Sequence, residues 1–106
     1  LFRSRDFTYV ANAVQANVRA MLCENKAAFN QVYNIACGNN YSLLDLVSML
    51  EKHIGKKANI NFREFRQGDI RDSLADISLA ESLIGYQPKI GFEEGLKETI
   101  QSFIIR

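Results

Sequence analysis

The chain has 106 residues, 47% hydrophobic and 24% charged, with a net charge of +1, which suits one soluble-type domain with a modest core. No basic run exceeds Lys56-Lys57, which argues against a nucleic-acid patch or a membrane-surface helix. No apolar stretch approaches the roughly 18 residues of a membrane span.

Residues 3–9 are charged and aromatic and suit a strand of two or three residues. From Val10 the pattern turns helical: Val10, Val14, Val18, Met21 and Leu22 fall on one stripe, with Asn12, Gln15, Asn17 and Arg19 largely off it. This helix should fade near Glu24. Residues 31–36 (Gln-Val-Tyr-Asn-Ile-Ala) read as a strand bounded by Gly38-Asn39-Asn40. Ser42 with Asp45 three positions on is a short-chain variant of the capping box. The helix it opens directs Leu43, Leu46, Val47, Leu50 and Ile54 inward and stops at Gly55. Ile60, Phe62 and Phe65 suggest a further strand. Residues 77–84 form a short helix closed by Gly85, with Pro88 barring continuation. Gly91 precedes a last helix with Phe92, Leu96, Ile100, Phe103 and Ile104 on one stripe and Glu93 and Glu94 at its positive end. The class is therefore α+β: a small two- to three-stranded sheet packed with about four helices. So few strands make a thin core, and one face should be more apolar than a free monomer tolerates.

The chemistry concentrates between Arg63 and Asp76. Arg63, Arg66 and Arg71 stand there among Glu64, Asp69, Asp72 and Asp76, around Gly68. Guanidinium groups donate paired hydrogen bonds to phosphate oxygens, and carboxylates accept from sugar hydroxyls. The alternative is a solvated turn of mutual ion pairs, each worth little. Elsewhere the residues point to structure. Asp76 suits a helix cap, Asn34 a backbone-capping role beside the site, and Ser73 a turn. Tyr9, Tyr33, Tyr41 and Tyr86 suit half-buried packing more than base stacking, Phe7 and Phe65 suit the core, and His53 suits a helix end. Cys23 and Cys37 form no CxxC, and His53 is the single histidine, so no metal site is expected. Free thiols in a reducing cytoplasm are preferred to a disulfide. The chain opens at Leu1 without a methionine, and the expectation is one lobe, residues 1–106, cut from a longer protein.

Five stretches in series carry a family resemblance. They are Ser4-Arg-Asp-Phe-Thr-Tyr-Val10 with Asn12, Val14 and Ala16; Val32-Tyr-Asn-Ile-Ala36 with Gly38; and Tyr41-Ser-Leu-Leu-Asp-Leu46. Next come Arg66-Gln-Gly-Asp-Ile-Arg71 running on through Ser73-Leu-Ala-Asp-Ile-Ser78, and finally Leu83-Ile-Gly-Tyr-Gln-Pro88. Together they resemble the C-terminal, sugar-nucleotide-binding part of the extended short-chain dehydrogenase/reductases. The look is closest to bacterial UDP-N-acetylglucosamine 4-epimerases of polysaccharide biosynthesis; nucleotide-sugar dehydratases and decarboxylases share most of the frame.

The resemblance implies substrate-binding roles for four residues. Arg5 would reach the diphosphate, Arg66 a phosphate, Asp69 the ribose hydroxyls and Arg71 a second phosphate contact. It implies a UDP-sugar as ligand, and an N-terminal Rossmann domain of the same protein as partner. The parent enzyme would bind NAD there, oxidise the sugar C4 hydroxyl and return the hydride to the other face; it could pair as a homodimer. The chain itself holds no GxGxxG and no Tyr-x-x-x-Lys, so no catalytic or cofactor-binding residue is assigned to it.

Overall fold

The computed structural model describes residues 3–59 and 72–104. The expected strand around Ile60, Phe62 and Phe65 lies outside them, as do Arg66, Asp69 and Arg71. In chain order the elements are β1 (Ser4–Arg5), α1 (Val10–Leu22), a single 3-10 turn (Lys26–Ala28), β2 (Tyr41–Ser42), α2 (Leu43–Ile54), α3 (Ser78–Ile84) and α4 (Phe92–Ile104). The fold is the expected α+β class. β1 and β2 pair antiparallel, Ser4 opposite Ser42 and Arg5 opposite Tyr41, and Ser4 also makes a parallel bridge to Asp72.

The local signals resolve as expected where they are self-contained. Ser42 Oγ accepts from the Asp45 amide at 3.0 Å and Asp45 Oδ2 accepts from the Ser42 amide at 2.9 Å, so the capping box closes and α2 starts where the sequence places it. α3 ends on Gly85, whose left-handed φ of 69° suits a residue without a side chain. Asp76 accepts from the Ser78 amide at 2.9 Å and holds the first turn of α3. The Ser78 side chain first, and this backbone bond second, keep its carboxyl below the usual carboxylate range.

The core has two parts. Ala16, Ala28, Ala36, Ile77, Ala80, Ile84 and Tyr86 form one buried cluster beneath α1 and α3, with Tyr33, Ile35 and Leu83 packed against it. Four of these seven are alanines, so the elements approach closely but bury little area. The second part is aromatic: Tyr41 stacks on Phe92 with centroids 4.3 Å apart, and Phe7 tilts against Phe92 at 5.3 Å. Helix α4 crosses Tyr9 so closely at Gly95 that an added Cβ would lie 2.7 Å from the Tyr9 Cβ.

Three expectations are corrected. Asn12, placed by the pattern on the polar side of α1, is 1% exposed and is the buried polar residue of the described fold. Its Oδ1 accepts from the Lys89 and Ile90 amides at 3.1 Å each, and its Nδ2 donates to the Ile90 carbonyl at 2.8 Å. Gln15, one turn along, exchanges two bonds with the backbone of Gln87. α1 therefore faces its own domain with amide side chains and Ala16, and turns its apolar stripe outward: Val10 is 64% exposed and Met21 75%. Second, residues 31–36 form no strand, because a strand exists only with a ladder partner and none is present among the described residues. Third, Ile54, expected to face inward, is exposed at the end of α2, as are Phe103 and Ile104 at the end of the α4 stripe.

Asn12→Ala would strand two buried amides and one carbonyl. It should lower the unfolding free energy by about 2–4 kcal/mol, at about 1–3 kcal/mol for each buried group left unpaired after relaxation. Gln15→Ala, at an exposed pair, should cost under about 1 kcal/mol. Urea unfolding of the two variants beside the parent checks the order.

Candidate nucleotide-binding site

Of the four candidate binding residues, Arg5 is the one within the described structure. Extended backbone and pairing to Tyr41 hold it in β1, half-buried, where its Nη1 donates to the Ser4 carbonyl at 2.7 Å. Its neighbour Asp6 gives both carboxylate oxygens to backbone amides, Cys37 N at 3.0 Å and Gly38 N at 2.9 Å. Gly38 takes a φ of 82° there, a left-handed conformation that glycine reaches without steric cost.

Ser4 joins three segments beside Arg5. Its Oγ donates to Asp72 Oδ1 at 2.8 Å and accepts from Asn40 Nδ2 at 3.0 Å, and its carbonyl accepts from the Ser73 amide at 3.0 Å. Asp72 and Ser73, which follow Arg71 in the chain, are thus fastened to the strand that carries Arg5. Ser73, expected in a turn, instead spends its amide on this long-range bond. Sequence reasoning missed Ser4 and Asn40, because a serine and an asparagine far apart in the chain give no periodic signal.

The other candidates settle into structural work. Tyr33 donates to the Ala28 carbonyl at 2.6 Å, and Tyr86, fully buried, donates to the Ala36 carbonyl at 2.7 Å. Tyr41 and Tyr9 pack against Phe92 and Gly95. Asn34 is exposed and caps no backbone group among the described residues, contrary to the expected role. His53 Nε2 meets Glu93 Oε1 at 3.1 Å, and Lys52 donates to the same oxygen. The Lys52 hydrogen bond and charge hold the Glu93 carboxyl below its usual range. Cys23 and Cys37 are free thiols, and burial followed by the Asp6 charge pushes Cys37 up, away from nucleophilic use. Among the described residues no group of His, Cys, Asp and Glu could hold a metal ion, and no helix is long and apolar enough to cross a membrane.

Several cavities lie away from Arg5, and two of them are apolar. One of about 160 Å³ lies among Phe7, Leu46, Phe92, Leu96 and neighbours; one of about 300 Å³ lies between α2 and α4, lined by Leu50, Ile54, Leu96, Ile100 and Phe103 among others. Neither carries a charged side chain, so neither suits a diphosphate.

Residues 1–99 match the family described as GDP-mannose 4,6 dehydratase. The chain belongs to that family. With it the chain stands among the extended short-chain dehydrogenase/reductases, as the motif series implied. A UDP-glucuronate 4-epimerase of Thermodesulfobacterium geofontis is 33% identical over 99 residues, 92% of this chain and 29% of that protein. The UDP-glucuronic acid 4-epimerase of Bacillus cereus, solved with UDP-glucuronic acid and NAD, superposes with a TM-score of 0.84 at 35% identity, covering 95% of this chain and 33% of that one. A UDP-N-acetylglucosamine 4-epimerase of Methanobrevibacter ruminantium, solved with UDP-N-acetylmuramic acid, gives a TM-score of 0.84 at 33% identity, covering 97% and 32%. The chain spans about 30% of the length of the curated relatives it matches.

Burial pushes the Tyr86 phenol up to about 12, with the Cys37 and Asp6 charges adding to it. An unfolded chain ionises that phenol from about pH 10, whereas the folded chain keeps its proton until about 12. This contribution to stability is therefore whole below pH 10 and is lost as pH rises toward 12, by up to about 2–3 kcal/mol. Denaturant midpoints measured from pH 8 to 11 should fall less steeply above pH 10 in Tyr86→Phe than in the parent.

Proposed function

We propose that these residues form the UDP-sugar-binding lobe of an NAD-dependent nucleotide-sugar 4-epimerase. The reading rests on one observation above the others. Asp72, the residue that follows Arg71, bridges Ser4 and so lies fastened beside Arg5. Two phosphates need several cationic forks converging from different segments, and Arg5 with Arg66 and Arg71 would supply them. Asp69 would accept from the ribose hydroxyls. The lobe would bind and orient the nucleotide so that the sugar projects toward the rest of the enzyme.

NAD does not fit this chain. The residues before the four described helices are Tyr9, Ser42, Ile77 and Gly91, and none belongs to a glycine-rich turn that could admit a pyrophosphate. The cofactor would sit in the N-terminal Rossmann domain of the parent protein, a cytoplasmic enzyme of polysaccharide biosynthesis, and this lobe alone would be inert. For the sugar, an N-acetylhexosamine pair is our first reading, on the Ser73-Leu-Ala-Asp76 stretch that suggested it. A hexuronic acid is the second, favoured by the similarity to the two glucuronate 4-epimerases. A dehydratase or decarboxylase lobe would use the same phosphate contacts.

Calorimetric titration at low salt with UDP, UDP-N-acetylglucosamine and UDP-glucuronic acid tests this. We expect weak binding that weakens further with added salt and falls about tenfold or more in Arg5→Ala and Arg66→Ala, the loss typical of a charge-assisted contact. Binding indifferent to both substitutions would contradict the assignment.

A further inference from the structure

A strand of two residues cannot by itself hold a guanidinium still. β1 brings only Ser4 and Arg5 to its ladder with β2, and so short a pair has no stability of its own. Successive side chains of a strand leave on opposite faces, so the Ser4 hydroxyl stands behind the strand that carries Arg5. That hydroxyl is fully engaged. It accepts from Asn40 Nδ2 at 3.0 Å and donates to Asp72 Oδ1 at 2.8 Å. A hydroxyl has one hydrogen to give, and here it goes to a carboxylate, the stronger kind of acceptor.

The backbone of the same residue meets the guanidinium directly. The Ser4 carbonyl accepts from Arg5 Nη1 at 2.7 Å and from the Ser73 amide at 3.0 Å. The oxygen on which the Arg5 side chain rests therefore belongs to the residue that Asn40 and Asp72 hold from behind. Segments far apart in the chain converge on this one serine. Asn40 and Asp72 are exposed, so water competes for their bonds and the cluster adds little to global stability. Its effect is local: it fixes where the Ser4 carbonyl stands, and with it the fork of Arg5.

We propose that Ser4 is a positioning residue for phosphate recognition: bonded to Asn40 and Asp72, it sets the pose of the Arg5 guanidinium and so raises affinity for a nucleoside diphosphate that it does not touch. This rests on the reading of Arg5 as a phosphate contact. A long, rotamer-rich side chain loses freedom when it closes on a ligand, and that loss subtracts from affinity. A guanidinium already resting on a fixed carbonyl has less left to lose. Asp72 takes part as the acceptor of the serine hydrogen, so its role is that of an oxygen in the right place, not of a charge.

Calorimetric titration of the full-length gene product with UDP tests this. Ser4→Ala should weaken binding about three- to tenfold, while Ser4→Thr, which keeps the hydroxyl, stays within about twofold of the parent. Added to Arg5→Ala, the Ser4→Ala change should cost less than about twofold more, because the serine acts through the guanidinium. A second pair needs no change at Ser4: Asp72→Asn and Asp72→Ala both remove the charge, but only the first keeps an acceptor oxygen, and it should bind UDP at least about threefold tighter. Unchanged affinity in Ser4→Ala, equal affinity in the two Asp72 variants, or the same loss with and without Arg5 would overturn the proposal. The two readings fail separately. Weakened binding in Arg5→Ala beside a harmless Ser4→Ala defeats the positioning role alone, whereas a harmless Arg5→Ala defeats the phosphate contact and the positioning role with it.

Discussion

The buried carboxamide of Asn12 fixes how this small fold is put together. A side chain with two donor hydrogens and one acceptor oxygen is expensive to bury unless its partners are in place, and here they are the amides of Lys89 and Ile90 and the carbonyl of Ile90. Those bonds set the rotation of α1 about its axis. Once that rotation is set, Ala16 must face the alanine-rich cluster and the valine stripe must face away. The approach to α4 is set nearby, because residues 87–90 lead directly into Gly91 and Phe92, against which Phe7 and Tyr41 pack.

The same economy governs the candidate site. β1 has two residues, too few to be stable alone, and its position depends on polar bonds at its flanks. Asp6 holds the Cys37-Gly38 backbone on one side, while Ser4 gathers Asn40, Asp72 and Ser73 on the other. Arg5 sits between these two fastenings. A half-buried guanidinium fixed by sheet pairing loses little further freedom on meeting a phosphate, which is how preorganisation raises affinity.

What the sequence disclosed was local. Ser42 with Asp45, and Gly85 ahead of Pro88, act within four or five residues, so their signals survive in the linear string. The Phe92 face of α4 was legible for the same reason, through spacing. Asn12 was not, because its burial depends on a backbone more than seventy residues away, and an asparagine in the first turn of a helix reads as solvent-facing. Residues 31–36 were read as a strand and form none, since propensity belongs to the segment and a ladder belongs to two. Phe103 and Ile104 keep the periodicity of α4, yet both are exposed. Arg5 was singled out through its motif; that Asp72, next after Arg71, is tied to its strand could be learned only from the fold.

The orientation of α1 is the central claim, and a pair of substitutions two residues apart, on opposite sides of the helix, tests it. Ala16→Asp places an unpaired carboxylate in the alanine cluster, whereas Val14→Asp places one on the outward stripe, and the two variants differ little in net charge or helix propensity. Thermal unfolding of both should show Val14→Asp within about 0.5–1 kcal/mol of the parent and Ala16→Asp destabilised by about 3 kcal/mol or more, enough to abolish a cooperative transition. The reverse order would mean that the valines face the core and that the Asn12 contacts do not set the helix.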